Sequence, residues 1–394
     1  MAEETQQAGP TRLASVDAYR GLVMLMMASS GLGLAAMAKR SPESPTWRAL
    51  AYQFEHVEWR GCTAWDLIQP SFMFLVGVAM PFSYASRVAL GHDHRAMFRH
   101  ALLRSAVLVA LGVFLQSNGS PRTQFSFVNV LTQIGLGYPI LFLLLNRRPY
   151  VQLIAALAIL AAYGAWFAAT PIPPESALPP AARLPDDWTH LAGVQQHWEK
   201  HRNAAEAFDR WLLNRLPTVD GKPFEVNRGG YATLNFVPSI ATMIFGLLAG
   251  RLLRANRGPR VTLLTLAGCS ILAFAVGIAL DQTVSPSVKR IWTPAWVFFS
   301  TGWTLALLAA FYGVIDVLNF RRWAFPLVVV GVNSIAMYVM AQLMKPFLLA
   351  SLRTHFGRAT FEGTYGPMIE PAAVLVALWL ICLWMYRQRI FVKI

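Results

Sequence analysis

Apolar residues follow one another along this chain in runs of about 20, the length that an α-helix needs to cross the hydrocarbon of a bilayer. Charged residues concentrate in the short connections between these runs. The pattern predicts ten membrane-spanning helices, at residues 17–38, 65–86, 102–117, 126–146, 150–170, 232–250, 261–280, 292–316, 325–349 and 370–387. We therefore expect an all-α, polytopic membrane protein in which residues 1–394 form a single transmembrane domain.

The longest polar segment, residues 171–231, separates the fifth predicted helix from the sixth and is expected to be an extracytoplasmic insertion. Apolar residues at three- and four-residue steps from Trp188 to Leu216 predict an amphipathic helix that lies over the membrane core. His197 and His201 would share one face of that helix and could bind zinc. No carboxylate or thiol completes a recognisable zinc set in the sequence, so solvated surface histidines are the favoured interpretation.

The composition agrees with a membrane protein and gives no pattern typical of a metal centre. Hydrophobic residues make up 55% of the chain and charged residues only 14%, which lies outside the usual balance of soluble domains. Cys62, Cys269 and Cys382 have no paired spacing, so they indicate neither a disulfide framework nor a metal-ligand set. We expect no metal cofactor, and a lipid bilayer as the surrounding medium.

The net charge of +14 could indicate a nucleic-acid partner, but its distribution favours a membrane topology and no nucleic acid. If the N-terminus is cytoplasmic, the short inner connections carry 16 Lys and Arg residues and the short outer connections carry 9. Positive residues are retained on the cytoplasmic side, so both termini are expected inside, at the inner membrane if the protein is bacterial. The inner set is Arg12, Arg87, Arg95, Arg99, Arg104, Arg147, Arg148, Arg251, Arg254, Arg257, Arg260, Arg321, Arg322, Arg387, Arg389 and Lys393. The outer set is Lys39, Arg40, Arg48, Arg60, Arg122, Lys289, Arg290, Arg353 and Arg358.

A cluster of polar residues stands directly before the second predicted helix. His56 is the residue of most interest there, because an imidazole takes up and releases a proton near neutral pH. Asp66, or else Glu55 or Glu58, could orient the imidazole as a carboxylate orients a catalytic histidine. The imidazole could then act as a base or as a nucleophile. The alternatives are an ordinary interfacial histidine and an aspartate that stabilises a helix N-terminus.

Two further polar pairs interrupt the apolar pattern. Asp17 and Arg20, at the start of the first helix, can form a local ion pair in which Arg20 extends to the interface. Asn333 and Ser334 lie at membrane depth, where polar side chains often form hydrogen bonds between helices. Each pair therefore has a structural interpretation beside a functional one.

The order of these motifs resembles one known family. The run His56-x2-Trp59-x-Gly61-x-Thr63-x2-Asp66-Leu67-x2-Pro70-x-Phe72-x-Phe74-x2-Gly77 looks like the signature of the heparan-α-glucosaminide N-acetyltransferase-like transmembrane acyltransferases. Further blocks resemble family motifs in the same order, at residues 15–22 (Ser-Val-Asp-Ala-Tyr-Arg-Gly-Leu), 129–138, 238–250, 291–296, 331–335 (Gly-Val-Asn-Ser-Ile) and 386–394. On these ordered blocks the chain is identified as a member of this family.

The resemblance implies an enzyme that takes an acetyl group from cytoplasmic acetyl-CoA and transfers it to an amino sugar on the far side of the membrane. It assigns the active-site histidine to His56, the motif aspartate to Asp66 and the motif asparagine to Asn333. It also implies a bacterial-type member without the N-terminal luminal domain of the animal proteins, and it leaves a homodimer open.

Two motifs depart from the family pattern and put a glucosamine acceptor in question. Gln133 stands where the fourth-helix motif commonly has Arg, and Thr132 replaces Gln. Arg60 stands where animal members have Asn after the His-x-x-Trp motif. Either departure could change how the cofactor or the acceptor is held.

We interpret the chain as an acetyl-CoA-dependent N- or O-acetyltransferase whose acceptor is an amino sugar or a related glycan. His56 is the predicted base or transient acyl carrier, and Asp66 is its orienting carboxylate. Glu55, Glu58 and Trp59, which lie beside His56 in sequence, are the predicted contacts of the acceptor.

Arg20 is the predicted contact of the CoA phosphates, and Asn333 and Ser334 are predicted contacts of its pantetheine arm in a channel between helices. Two rival interpretations are a membrane transporter of a sugar or cell-envelope intermediate, and a non-catalytic partner that docks through residues 171–231. No internal repeat is visible in the sequence, and the ionisable groups concentrate at one face, which argues against a transporter.

Overall fold

The computed structural model describes residues 13–255 and 257–392, and these residues form an all-helical fold without a β-strand. Arg12 and Lys393 of the predicted charge pattern lie outside the described residues. The α-helices are α1 (Ala14–Ala28), α2 (Leu34–Arg40), α3 (Pro45–Gln53), α4 (Ile68–Ala89), α5 (His94–Ser117), α6 (Val130–Leu144), α7 (Pro149–Ala169), α8 (Ala204–Leu213), α9 (Phe236–Arg254), α10 (Pro259–Thr283), α11 (Pro294–Phe311), α12 (Phe325–Gly331), α13 (Ser334–Leu343), α14 (Lys345–Phe356), α15 (Ala359–Glu362) and α16 (Gly366–Arg387).

Seven helical segments of the described chain are long and apolar enough to cross a membrane, or nine if each of two bent pairs is one span. The bent pairs are Ala14–Ala28 with Ser30–Arg40 and Arg322–Gly331 with Ser334–Leu343. Helix α6 is apolar but has only 15 residues. Each of the ten predicted segments overlaps one of these elements. The all-α, multi-pass class is therefore confirmed, whereas the count of ten stays a prediction.

The bundle has two chemically different ends. The connections that follow α4, α6 and α9 meet at one of them, where Arg251 donates to the backbone carbonyl of Arg147 and Asn146 donates to the Tyr84 hydroxyl. We call it the basic end, and the charge pattern predicts it to be cytoplasmic. The opposite end carries residues 54–67 and the segment 171–231, and we call it the loop end.

Helices α4 and α9 form a close pair at the centre of the bundle. A Cβ atom at Gly77 would lie 2.0 Å from the carbonyl oxygen of Met243, and one at Gly246 would lie 2.0 Å from that of Phe74. Only glycine permits this approach, because any side chain would overlap the backbone of the other helix. The contact fixes α4, which begins two residues after Asp66.

The continuous helix predicted over residues 188–216 is wrong. In the structure α8 begins only at Ala204, because the Asn203 side chain accepts the N–H groups of Ala205 and Glu206 and so caps the helix there. Upstream, His201 has a φ of 62°, a left-handed conformation that a continuing helix cannot contain. His197 and His201 therefore do not share a helix face.

The segment 171–231 is fastened to the membrane helices by aromatic residues. Phe167 of α7 stacks on Trp198, with ring centroids 4.3 Å apart, and Tyr163 lies beside both rings. The indole N–H of Trp59 donates to the carbonyl oxygen of Trp198 over 3.1 Å. This packing holds the segment next to residues 54–67, where the predicted catalytic residues lie.

Candidate functional site

A buried carboxylate organises the turn between α3 and α4. Asp66 lies in a 3-10 turn, Trp65–Leu67, and its side chain is 1% exposed. Its Oδ2 accepts the backbone N–H groups of Val57 and Thr63, each over 3.2 Å, and lies 3.0 Å from the Thr63 hydroxyl. These bonds fold residues 57–63 around the carboxylate, and they satisfy an oxygen that would otherwise be costly to bury.

His56 is held by the other oxygen of the same carboxylate. Its Nδ1 lies 2.7 Å from Asp66 Oδ1, and the side chain is 38% exposed. An ionised carboxylate can only accept hydrogen bonds, so the proton of a neutral imidazole must sit on Nδ1. The lone pair of Nε2 is then free, so this nitrogen can act as a base or as a nucleophile. The predicted pairing of His56 with Asp66 is present in the geometry.

A third residue, Lys289, was assigned only to the outer charge set by the sequence. Its Nζ donates to Asp66 Oδ1 over 3.2 Å and lies 3.1 Å from His56 Nδ1, although 233 residues separate it from His56. The side chain is 4% exposed. Burial lowers the pKa of the Lys289 ammonium group to about 8, although the charge of Asp66 opposes the shift. The one sequence signal was its position two residues before the motif that begins at Ile291.

Arg290 and Tyr231 form a wall beside His56. Arg290 donates to the carbonyl oxygen of Val57 over 2.9 Å, and also to that of Gly229. Its guanidinium group lies over the Tyr231 ring, 5.1 Å from the centroid, and that ring meets the His56 ring edge-on at 6.4 Å. The segment 171–231 therefore contributes a surface directly to the site.

The three predicted acceptor contacts occupy different environments. The Glu58 side chain is 68% exposed and lies 3.7 Å from Lys200 Nζ, at the rim of the site. Glu55 is exposed, and its backbone carbonyl accepts the Thr63 hydroxyl. Trp59 is buried and its N–H is already bonded to segment 171–231, so the structure gives it a packing role.

Arg60 is held by the carboxylate of Asp281 in α10. Its guanidinium group binds both carboxylate oxygens of Asp281, over 3.1 and 2.8 Å, and its backbone pairs with Val288. The hydrogen bonds that Arg60 donates to the Asp281 carboxylate raise the pKa of Arg60 above its ordinary value. The departure from Asn at this position thus anchors residues 57–63 to the end of α10.

The basic end contains a cavity of about 500 Å³ between α1, α4, α5, α6 and α13. Its polar lining includes three guanidinium groups, and its apolar lining comes mainly from α4 and α6. The lining residues used below are Arg20, Arg87, Arg104, Tyr138, Ser334 and Phe72. Two of the three predicted cofactor contacts, Arg20 and Ser334, lie in this wall.

The side chain of Asn333, the third predicted cofactor contact, forms hydrogen bonds with the C-terminal backbone. Its side-chain amide donates to the carbonyl oxygen of Ile390 over 3.0 Å, and its carbonyl oxygen accepts the N–H of Val392 over 3.1 Å. Asn333 is fully buried, and Val392 lines the cavity. Its structural role is therefore to fix the C-terminal segment against the cavity.

A polar layer borders the cavity near the start of α4. Phe72, the cavity-lining residue of α4 nearest to Asp66 in sequence, follows it by six residues, or about 9 Å of helix. At this level the Tyr19 and Ser71 hydroxyl groups are 2.9 Å apart, and Gln69 donates to Gln133 Oε1 over 2.7 Å.

Gln133 is completely buried in this layer, and its Nε2 has no hydrogen-bond partner among the described residues. An unpaired amide is expensive to bury, so the layer is suited to a polar guest.

Two curated proteins align with nearly the whole chain. It is 24% identical to the human (Homo sapiens) heparan-alpha-glucosaminide N-acetyltransferase over 427 residues, which cover 98% of this chain and 60% of that protein. It is 23% identical to the mouse (Mus musculus) protein of the same name over 428 residues, which cover 99% of this chain and 62% of that protein. No protein-family model matches the chain. The chain therefore spans about three fifths of the length of these relatives.

Proposed function

The chain is a distant member of the heparan-alpha-glucosaminide N-acetyltransferase family, and from this premise we propose that it transfers an acetyl group across a membrane. The donor is acetyl-CoA at the basic end, and the acceptor is an amine or hydroxyl of an amino sugar or related glycan at the loop end. The observation that carries the proposal is that an arginine-lined cavity runs beside α4 and that an oriented histidine lies in the connection just before this helix.

The basic end suits the nucleotide half of the donor. The CoA phosphates cannot enter hydrocarbon, so they must stay at the membrane surface while the uncharged pantetheine arm reaches inward. Arg87 and Arg104 offer guanidinium groups that match phosphate geometry, and Arg20 lies in the same wall. Along α4, the 15 residues from Arg87 to Phe72 correspond to about 22 Å, most of a bilayer's hydrocarbon thickness. The thioester would then lie near the start of α4, beside the polar layer.

His56 has the chemistry that the transfer needs at the loop end. In a direct route, Nε2 removes a proton from the acceptor as its nitrogen or oxygen attacks the thioester carbonyl. The carbon–sulfur bond breaks, and the CoA thiolate leaves and takes up that proton. In a two-step route, Nε2 itself attacks the thioester carbonyl, the carbon–sulfur bond breaks and CoA leaves as a thiolate. The acceptor then takes the acetyl group from the imidazole, and the proton that the acceptor loses neutralises the thiolate. In both routes Asp66 holds the ring and stabilises the positive charge that develops on it.

A sided assay tests the proposal. The protein is reconstituted in vesicles with labelled acetyl-CoA at the basic end and a panel of amino sugars at the loop end. We expect labelled acetyl-sugar to accumulate at the loop end, and His56→Ala to abolish it while CoA binding persists. His355→Ala, an exposed histidine at the end of α14, is the matched control. Uptake of an unmodified sugar without acetyl transfer would instead favour the transporter interpretation.

A further inference from the structure

Three groups of alternating charge share one point in the loop-end site. Asp66 Oδ1 accepts from His56 Nδ1 over 2.7 Å and from Lys289 Nζ over 3.2 Å. The two donors are themselves only 3.1 Å apart. Lys289 comes from the connection between α10 and α11, whereas Asp66 lies in the turn just before α4. The fold thus brings a buried cation to the back of the histidine, on the side opposite to Nε2.

We propose that Lys289 is a positioning residue that cancels the charge of Asp66, so that Asp66 fixes the tautomer of His56 without making the imidazole hold a second proton. This role rests on the proposed acetyl transfer, for which Nε2 must carry a lone pair. Lys289 acts through Asp66 and does not touch the acceptor or the thioester.

The physical reason is that a carboxylate beside an imidazole has two effects. It orients the ring through the Nδ1–H bond, which helps a base, and it favours the imidazolium, which has no lone pair to offer at Nε2. A positive charge at a similar distance opposes the second effect and leaves the first one intact. A buried location strengthens this opposition, because water screens the charges less there.

The other titratable groups around His56 do not replace Lys289. They are Cys62, Glu55, Glu58, Lys200, Tyr231 and Arg290. Burial raises the pKa of the Cys62 thiol to about 12 and also raises the pKa of Tyr231, so both are neutral near pH 7. Glu58 is paired with Lys200. Arg290 contributes a positive charge, but its guanidinium group bonds to backbone carbonyls and is not in contact with Asp66.

A structural ion pair would explain the same distances, so the test must measure the protonation of His56 itself. Diethyl pyrocarbonate modifies neutral imidazoles, and the exposed fraction of His56 makes it reachable. The modification rate of the His56 peptide, followed by mass spectrometry from pH 5 to 9, gives the midpoint of His56 ionisation without any need for activity. The variants are Lys289→Met and Lys289→Arg in the full-length protein. Lys345→Met, a half-buried lysine that donates to Ser30, is the matched control.

We expect Lys289→Met to raise the His56 midpoint by about 1 to 2 pH units, while Lys289→Arg and Lys345→Met leave it near its original value. In the pH profile of the acetyl-transfer rate, the acid limb should move to higher pH by the same amount. The loss of activity should therefore be large at pH 6 and small at pH 8.5. The double variant Asp66→Asn with Lys289→Met removes both charges and should return the midpoint toward that of the unmodified protein.

Two results would overturn the proposal. One is an unchanged midpoint in Lys289→Met protein that still elutes as a single species and binds CoA. The other is equal shifts in Lys289→Met and Lys289→Arg. If Lys289→Met does not fold, the double variant is compared with Asp66→Asn alone. Equal His56 midpoints in these two proteins would also overturn the proposal. Failure of the proposed function is separate, because the unmodified protein would then transfer no acetyl group in the sided assay, whatever the His56 midpoint does.

Discussion

His56 Nδ1 lies 2.7 Å from Asp66 Oδ1, and this single contact decides which imidazole nitrogen can react. The carboxylate accepts the Nδ1 proton, and so Nε2 is left to face a substrate. Asp66 can serve this purpose because backbone N–H groups of Val57 and Thr63 hold its second oxygen. The orientation of the histidine is thus set by the fold of a short turn.

Replacement of Asp66 by Asn tests this orientation. Asp66→Asn keeps the shape, but its amide can donate to Nδ1 and so stabilise the opposite tautomer, in which Nε2 carries the proton. We expect a loss of acetyl transfer of roughly 10- to 1,000-fold with CoA affinity unchanged. Steady-state kinetics and calorimetry on the same preparation check this. Asp187→Asn, an exposed aspartate of the loop end, is the control.

The His56–Asp66 pair could be predicted because its cause is local. The two residues are ten positions apart, beside an apolar run that has to begin a membrane helix. The sequence therefore made Asp66 a candidate partner of His56, and the family resemblance pointed to the same two positions. The multi-pass class followed equally from the apolar runs.

The remaining features of the site depend on contacts between distant segments. Lys289 reaches His56 across 233 positions, and its sequence neighbourhood is that of an ordinary outer loop. The prediction of one helix over residues 188–216 was wrong for two reasons. Asn203 caps α8 and so sets its start, and the buried aromatic contacts of Trp198 stabilise an irregular backbone in spite of the helix propensity of the sequence. Trp59 was predicted to contact the acceptor because it lies beside His56 in sequence. Its hydrogen-bond partner, the carbonyl of Trp198, lies in another segment and could not be predicted from the sequence.

The arginine-lined cavity predicts salt-sensitive binding of the donor. Arg87→Gln and Arg104→Gln should each weaken CoA binding by about tenfold, because a charged hydrogen bond to phosphate is lost in each. Higher ionic strength should weaken binding by the unmodified protein as well. Isothermal calorimetry with CoA measures both effects, and Arg353→Gln at the loop end is the control. If neither salt nor either substitution changes the affinity for CoA, the donor binds outside this cavity.

The polar layer at Ser71 predicts that donor binding and acetyl transfer can be separated. Ser71→Leu adds volume next to the cavity-lining residue Phe72, near the start of α4, so the thioester should no longer reach the imidazole although CoA still binds. We expect at least about a 100-fold loss of transfer, in line with the sensitivity of catalysis to small misplacements. Ser71→Ala, which removes only the hydrogen bond to Tyr19, should retain most activity. Equal activity of the two variants would rule out passage through this layer.

The charge pattern predicts the orientation of the bundle. Reporters fused after Arg95, after Arg254 and at the C-terminus should read cytoplasmic, and one inserted within residues 190–210 should read extracytoplasmic. Matched phosphatase and fluorescent-protein fusions at each point provide the measurement. A cytoplasmic reading for residues 190–210 would put His56 on the same side as the CoA pool and remove the need for transfer across the membrane.

Asp209 predicts a pH-dependent stability of the loop end. Burial raises the pKa of its carboxyl group to about 7, although the N–H of Thr233 donates to both of its oxygens and favours the ionised form. The folded protein then binds a proton that the unfolded chain releases near pH 4, so stability should fall as pH rises from about 4 to 7.

Asp209→Asn removes this titration. Its advantage in melting temperature over the unmodified protein should therefore grow across that window and stay constant above pH 7, by a few degrees in total. Thermal unfolding in detergent at pH 4.5, 6 and 8 measures the difference, with Asp187→Asn as the exposed control. An advantage that is the same at all three pH values would show that Asp209 is ionised throughout.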